Sequence, residues 1–202
     1  MKSQGMLLGI SGVLFGVLLG WMLGSQQAAG PGGSAAAPAP AASQTQAPPL
    51  DLERAADLER QATARPDDAT VRTDLGDLYF EAQRHDLAIR WYEAAIKINR
   101  TNPQVHTDLA LSLFYTNEVD RALREIDAAL AIDPRHLKAL LSQGFIRAFG
   151  KQDLPGAVKS WEQVIAVDPS SVEAGEARRQ IDGLKGAHPT VAGAGRGGGK
   201  RP

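Results

Sequence analysis

Two segments of the chain are near copies of each other, thirty-four residues apart. Leu75-Gly76-Asp77-Leu78-Tyr79 precedes Ala88-Ile89-Arg90-Trp91-Tyr92-Glu93-Ala94-Ala95, and Leu109-Ala110-Leu111-Ser112-Leu113 precedes Ala122-Leu123-Arg124-Glu125-Ile126-Asp127-Ala128-Ala129. A third copy carries Gly144, Ala157, Trp161 and Val164, and Pro66, Pro134 and Pro169 punctuate the ends of units. A period of this length encodes one helix-turn-helix unit. Such a unit cannot bury its apolar side alone, so consecutive copies must stack. The chain is therefore constrained to an all-α array.

The spacing predicts repeats at about residues 69–102, 103–136 and 137–171. Helical caps at 50–65 and 171–184 close a domain over 50–185. Within a repeat, size alternates. Gly76 and Ala88 are small where two helices cross closely, and Tyr79 and Tyr92 fill the space beside them, with Leu75 and Ala95 completing the packed set. Ala110, Ala122 and Ala129 hold the matching places in the second repeat, and Gly144, Ala157 and Trp161 in the third. Pro103 suits a first helical turn. The third repeat has one extra residue, placed by its sequence in a longer turn, Gly150-Lys151-Gln152-Asp153-Leu154-Pro155. Asp51 can cap the first helix, whose apolar side is Leu52, Ala55, Leu58 and Ala62. Val172, Ala177, Ile181 and Leu184 form the corresponding side of the last helix.

The flanks have different compositions. Residues 6–23, MLLGISGVLFGVLLGWML, carry no charge. As a helix they would be about 27 Å long, near the roughly 30 Å of a bilayer core. This predicts an N-terminal transmembrane anchor over 1–24. Lys2 precedes it and no charge follows until Asp51. The amino terminus is then cytoplasmic, and the repeat domain lies on the periplasmic or extracytoplasmic side of the inner (cytoplasmic) membrane. Gly12, Gly16, Gly20 and Gly24 recur on one face, a row suited to docking on another membrane helix or a second copy. Residues 25–49 are Ala, Pro, Gly, Gln and Ser and predict a disordered tether, as does the Gly-rich tail 186–202.

Several chemistries are excluded. The chain has no cysteine, so thiolate nucleophiles, disulfides and Cys-x-x-Cys-His haem attachment are absent. A net charge of −1 argues against a nucleic-acid partner. His85, His106, His136 and His188 show no metal-ligand spacing, and Asp67-Asp68 suits helix capping. No catalytic residues and no cofactor are expected.

Gly76, Tyr79, Ala88, Tyr92, Ala95 and their counterparts resemble the tetratricopeptide-repeat (TPR) family over about 51–185. The resemblance implies a right-handed superhelix whose concave face is lined by the first helix of each repeat. Onto that face it maps Thr70, Thr73, Asp77, Phe80 and Glu81, then Gln104, Thr107, Leu111, Phe114 and Tyr115, then Lys138, Leu141, Phe145, Ala148 and Phe149. The candidate peptide-binding groove is Phe80, Leu111, Phe114, Tyr115, Leu141, Phe145 and Phe149, more apolar toward the third repeat. The same rings could equally form inter-repeat core. Thr73 and Asp77 stand where a basic clamp for acidic chaperone tails would need Lys and Asn. The stretch 157–165, AVKSWEQVI, with 108–115, DLALSLFY, also resembles the periplasmic TPR proteins of bacterial c-type cytochrome maturation. That likeness implies a membrane-tethered adaptor holding an apolar peptide or helix of an apocytochrome client. The alternative is a structural scaffold of an envelope assembly such as a pilus, secretion or outer-membrane machine.

Overall fold

The computed structural model describes residues 48–187. Among these residues every regular element is helical. A first helix, α1 (Leu52–Ala64), is followed by three helix pairs: α2 (Ala69–Glu81) with α3 (His85–Ile98), α4 (Pro103–Tyr115) with α5 (Val119–Ile132), and α6 (Leu137–Phe145) with α7 (Leu154–Val167). The last helix is α8 (Val172–Ala187). Each helix packs on its sequence neighbours, and α4 packs on both α2 and α6, so the first helices of the pairs adjoin.

Short polar side chains start most of these helices by accepting hydrogen bonds from otherwise orphaned N–H groups. The Asp51 carboxylate accepts from Arg54 N (2.9 Å), Asp68 from Thr70 N (2.9 Å), Asn102 from Gln104 N (3.0 Å) and Asp153 from Gly156 N (2.9 Å). His136 caps α6 through Nδ1, which accepts from Ala139 N (3.2 Å). Burial holds that ring's pKa down, which keeps the lone pair available.

The turn inside each pair is three residues long: 82–84, 116–118 and 151–153. Its middle residue is left-handed in every copy, Gln83 at φ 56°, Asn117 at 65° and Gln152 at 57°. The sequence placed the third repeat's extra residue in this turn. The structure places it in the helix instead, where Ile146–Gly150 forms a π turn and Lys151 N donates to Ile146 O (3.2 Å). The turn keeps its geometry because it sets the crossing of the two helices. Left-handed glutamine is strained, so Gln152→Gly should raise stability by about 0.5–1 kcal/mol. Thermal denaturation should show a rise of about 2–3 °C.

The core lies between the paired helices and between successive pairs. All twelve residues singled out for repeat packing are buried. Two small–large contacts recur along the array. A Cβ on Gly76 would stand 2.4 Å from the Tyr92 ring, and one on Gly144 would stand 2.3 Å from Trp161 Nε1. The same register in the second repeat holds Ala110 and Ile126, both fully buried. Tyr79 reaches the first helix, its hydroxyl donating to Glu59 Oε1 (2.9 Å).

Three expectations need correction. Leu52 and Val172 are exposed, because each lies in the first turn of a terminal helix, beyond its neighbour; Ala174 is buried near the start of α8 in place of Val172. The inner-membrane localisation is overturned, since among the described residues no helix is long and apolar enough to cross a membrane. The longest, α8, has 16 residues, about 24 Å of rise, and carries Glu173, Glu176, Arg178, Arg179, Asp182 and Lys185. The segment 6–23, its row Gly12, Gly16, Gly20 and Gly24, the linker 25–47 and the tail from 188 lie outside the described residues.

Candidate functional site

The face built by α2, α4 and α6 combines a polar ladder with a row of rings. The ladder begins with Tyr92, whose ring crosses Gly76 and whose hydroxyl donates to Asp77 Oδ1 (2.7 Å). Across the next repeat, Asp108 is doubly satisfied: Gln104 Nε2 donates to one oxygen (2.8 Å) and Lys138 Nζ to the other (2.6 Å), which ties α4 to α6. Asp108 is 8% exposed, so this ion pair works in a partly dry setting.

Asp77 is held less well. Burial pushes its carboxyl up to about 6; the Tyr92 hydrogen bond and the more distant Lys138 charge oppose that, and the charges of Asp108 and Asp74 add to the rise. The folded chain therefore keeps the Asp77 proton between about pH 4 and pH 6, where the unfolded chain has already lost it. The group's contribution is most favourable below about pH 4 and falls as pH rises through about 6. Asp77→Asn keeps the hydrogen-bond acceptor and removes the charge. It should stabilise the domain by about 1 kcal/mol at pH 7.5 and leave it unchanged at pH 4. Denaturant titration at the two pH values checks this.

The ring row passes from repeat to repeat. His85 stacks on Tyr115 at a centroid distance of 4.6 Å and meets Phe80 at 5.2 Å. Phe80 and Tyr115 are 5.9 Å apart, Tyr115 and Phe114 5.6 Å, Phe114 and Phe145 5.2 Å, and Phe145 and Phe149 4.7 Å. Edge and tilted contacts of this kind add to simple area burial. Burial lowers the His85 pKa, so its imidazole is neutral at neutral pH. Of the seven residues read as groove, Phe80, Leu111, Phe114, Tyr115 and Phe149 are half-buried, while Leu141 and Phe145 are each only 4% exposed and lie in the core. Phe145 is buried because Phe114 and Phe149 bracket it.

The sequence reading missed the ladder. Asp108 repeats Asp74, and Lys138 repeats Gln104, one period on, so the register held a signal. The bonds depend on how neighbouring helices cross. His85 begins α3. His106 is buried in α4, with Nδ1 facing Glu125 Oε2 (2.7 Å) and Nε2 facing Arg100 O (3.2 Å); the Glu125 contact raises its pKa against burial. A small hollow of about 110 Å³ lies between the first two pairs, lined by Thr70, Thr73, Asn99 and Asn102 among others.

Known proteins bear on this architecture. A family model described as TPR repeat matches residues 76–116. The chain is 32% identical over 108 residues to the protein O-mannosyl-transferase TMTC3 of Homo sapiens, covering 54% of this chain and 12% of that one. It is 31% identical over 128 residues to the cytochrome c-type biogenesis protein CycH of Pseudomonas aeruginosa, covering 62% and 31%. The chain thus spans less than a third of the length of these relatives. Among solved structures, the first TPR of Spaghetti (RPAP3) bound to HSP90 peptide SRMEEVD matches with a TM-score of 0.53 and 27% identity, covering 59% of this chain and 91% of that one. The period, the paired helices with their shared turn, and these likenesses agree: residues 76–116 carry a tetratricopeptide repeat, within an array of helix pairs that resembles solved domains of that kind.

Proposed function

We propose that the face of α2, α4 and α6 holds a peptide segment of a partner protein, and that the chain is an adaptor and not an enzyme. The observation that carries this reading is the row of half-buried rings across three repeats, Phe80, Tyr115 and Phe114, with Phe149 joined to them through buried Phe145. Rigid rings on stacked helices offer contact area at low entropic cost, and an extended or helical segment can lie along them. The peptide complex of the RPAP3 repeat domain supports a peptide as ligand. The likeness to a cytochrome c-type biogenesis protein supports a client handled in c-type cytochrome assembly.

Leu111 and Tyr115 are the cleaner probes, because both are half-buried on α4 and neither brackets Phe145. An array of overlapping peptides from c-type apocytochromes, probed with the full chain, should show discrete binders. The Leu111→Ala/Tyr115→Ala variant should bind them at least tenfold more weakly with its helical content intact. An array with no binders, or binders the double variant holds equally well, would remove this face as the site.

A further inference from the structure

The charges of the ring-bearing face do not cancel. Its three helices, with the π turn, carry Asp74, Asp77, Glu81 and Asp108 against Arg72, Lys138 and Arg147. Two of these cations are turned away. Arg72 donates to the Asp68 and Arg65 carbonyls (2.9 and 3.3 Å) at the start of α2. Arg147 donates to Ser160 Oγ and Gly156 O (3.2 and 3.4 Å) on α7. Lys138 is already held by Asp108 (2.6 Å). Among the described residues no cation is therefore paired with Asp74, Asp77 or Glu81.

The neighbouring donors do not compensate. Asp77 receives the Tyr92 hydroxyl on Oδ1, and Oδ2 has no donor among the described residues. Thr73 and Thr107 spend their hydroxyls on the carbonyls of Ala69 and Pro103 (3.1 and 2.8 Å). The fields of Asp108, Asp77 and Glu81 all reach the Tyr92 phenol, so these carboxylates share one region. Beside it stand Phe80, next to Glu81 in the chain, and Tyr115, 5.9 Å from Phe80. A half-buried carboxylate left short of donors lowers the stability of the array, and such groups concentrate where a ligand completes them.

Carboxylates short of partners next to half-buried rings have one complementary ligand chemistry. A Lys or Arg side chain offers a cation at its tip and an apolar stem, and either cation is attracted to a ring face. We propose that this face selects peptides in which a Lys or Arg accompanies apolar residues, the cation seating among Asp74, Asp77 and Glu81 and the apolar side chains lying on Phe80, Tyr115 and Phe114. Like charge on an acidic segment would meet the same carboxylates and be rejected. The inference rests on the peptide-binding reading above and specifies the peptide.

The test is fluorescence anisotropy with the full chain and three labelled, end-blocked twelve-residue peptides. They share one Leu/Phe pattern and differ only at the remaining positions, which are all Lys, all Gln or all Glu. The Lys peptide should bind at least tenfold more tightly than the Gln peptide and the Glu peptide more weakly than either, with the Lys preference shrinking as salt rises. Asp77→Asn with Glu81→Gln should cut the Lys-to-Gln ratio at least fivefold and leave Gln-peptide affinity in place. Glu162→Gln, an exposed position on α7, should leave the ratio unchanged. Equal binding of the three peptides overturns cation selection while leaving peptide binding intact. No binding of any peptide overturns both. A Lys preference that survives Asp77→Asn/Glu81→Gln also overturns the assignment to these carboxylates. The melting temperature of the double variant, expected at or above that of the parent, separates lost binding from lost folding.

Discussion

Trp161→Ala should destabilise the domain by about 3–5 kcal/mol, the range for deleting a large buried aromatic. That corresponds to a fall of roughly 10 °C in a calorimetric scan. The indole is fully buried, and its Nε1–H donates to Leu141 O (3.1 Å), so truncation opens a cavity and leaves a carbonyl without its donor. Its bed is Gly144: a Cβ there would stand 2.3, 2.5 and 2.6 Å from three indole atoms. Gly144→Ala alone should therefore cost about 1–3 kcal/mol through overpacking. The second repeat has another pair of residues in the same register, Ala110 and Ile126, both fully buried. In a Trp161→Ile background, Gly144→Ala should accordingly be nearly neutral or stabilising, a coupling of at least about 1 kcal/mol. Equal costs in both backgrounds would show that the glycine does not serve the indole.

Phe114→Ala combined with Phe149→Ala should cost about 3–4 kcal/mol, below two full aromatic deletions because both rings are half-buried. Both rings flank buried Phe145, at 5.2 and 4.7 Å, and Phe114 also lies against Gly150, where a Cβ would come within 3.3 Å of its ring. Read as groove residues from the sequence, they suggest a probe that removes binding with little effect on folding. The structure makes them supports of the third pair as well. Urea titration of the double variant measures this directly: a loss under about 1 kcal/mol would mean that the rings contribute contact surface alone. Leu111 and Tyr115 carry the binding question with less disturbance.

The Asp77 prediction links stability to binding. An uncharged residue at that place should make the array more stable at neutral pH, yet the chain keeps a carboxylate whose pKa is driven up to about 6 by burial. A local choice that opposes stability is what a recognition site leaves behind. The solved RPAP3 repeat domain binds SRMEEVD, a peptide with three acidic residues. The face described here, with four carboxylates and one engaged lysine, is suited to the opposite charge.

The all-helical character of the array and its build from helix pairs were legible in the sequence alone, through residues such as Gly76, Ala88, Gly144 and Trp161. Each depends on a pattern within one helical pair, and the thirty-four-residue period repeats that pattern until it cannot be mistaken. Small residues at fixed positions state where backbones approach, whatever the rest of the fold. What only the tertiary structure decided lies between pairs or between the helices of one pair. It decided that Tyr92 reaches through to Asp77, that Lys138 closes on Asp108, and that Phe145 is covered while Phe80 and Tyr115 are only half-buried. It also decided that an extra residue becomes a π turn and not a longer loop. Asp77 and Tyr92 are 15 residues apart, and Asp108 and Lys138 are 30 apart. Contacts at that separation are set by the crossing of whole helices, to within an ångström or two. Periodicity gives which residues share a face, but the closing distance between faces belongs to the packed array.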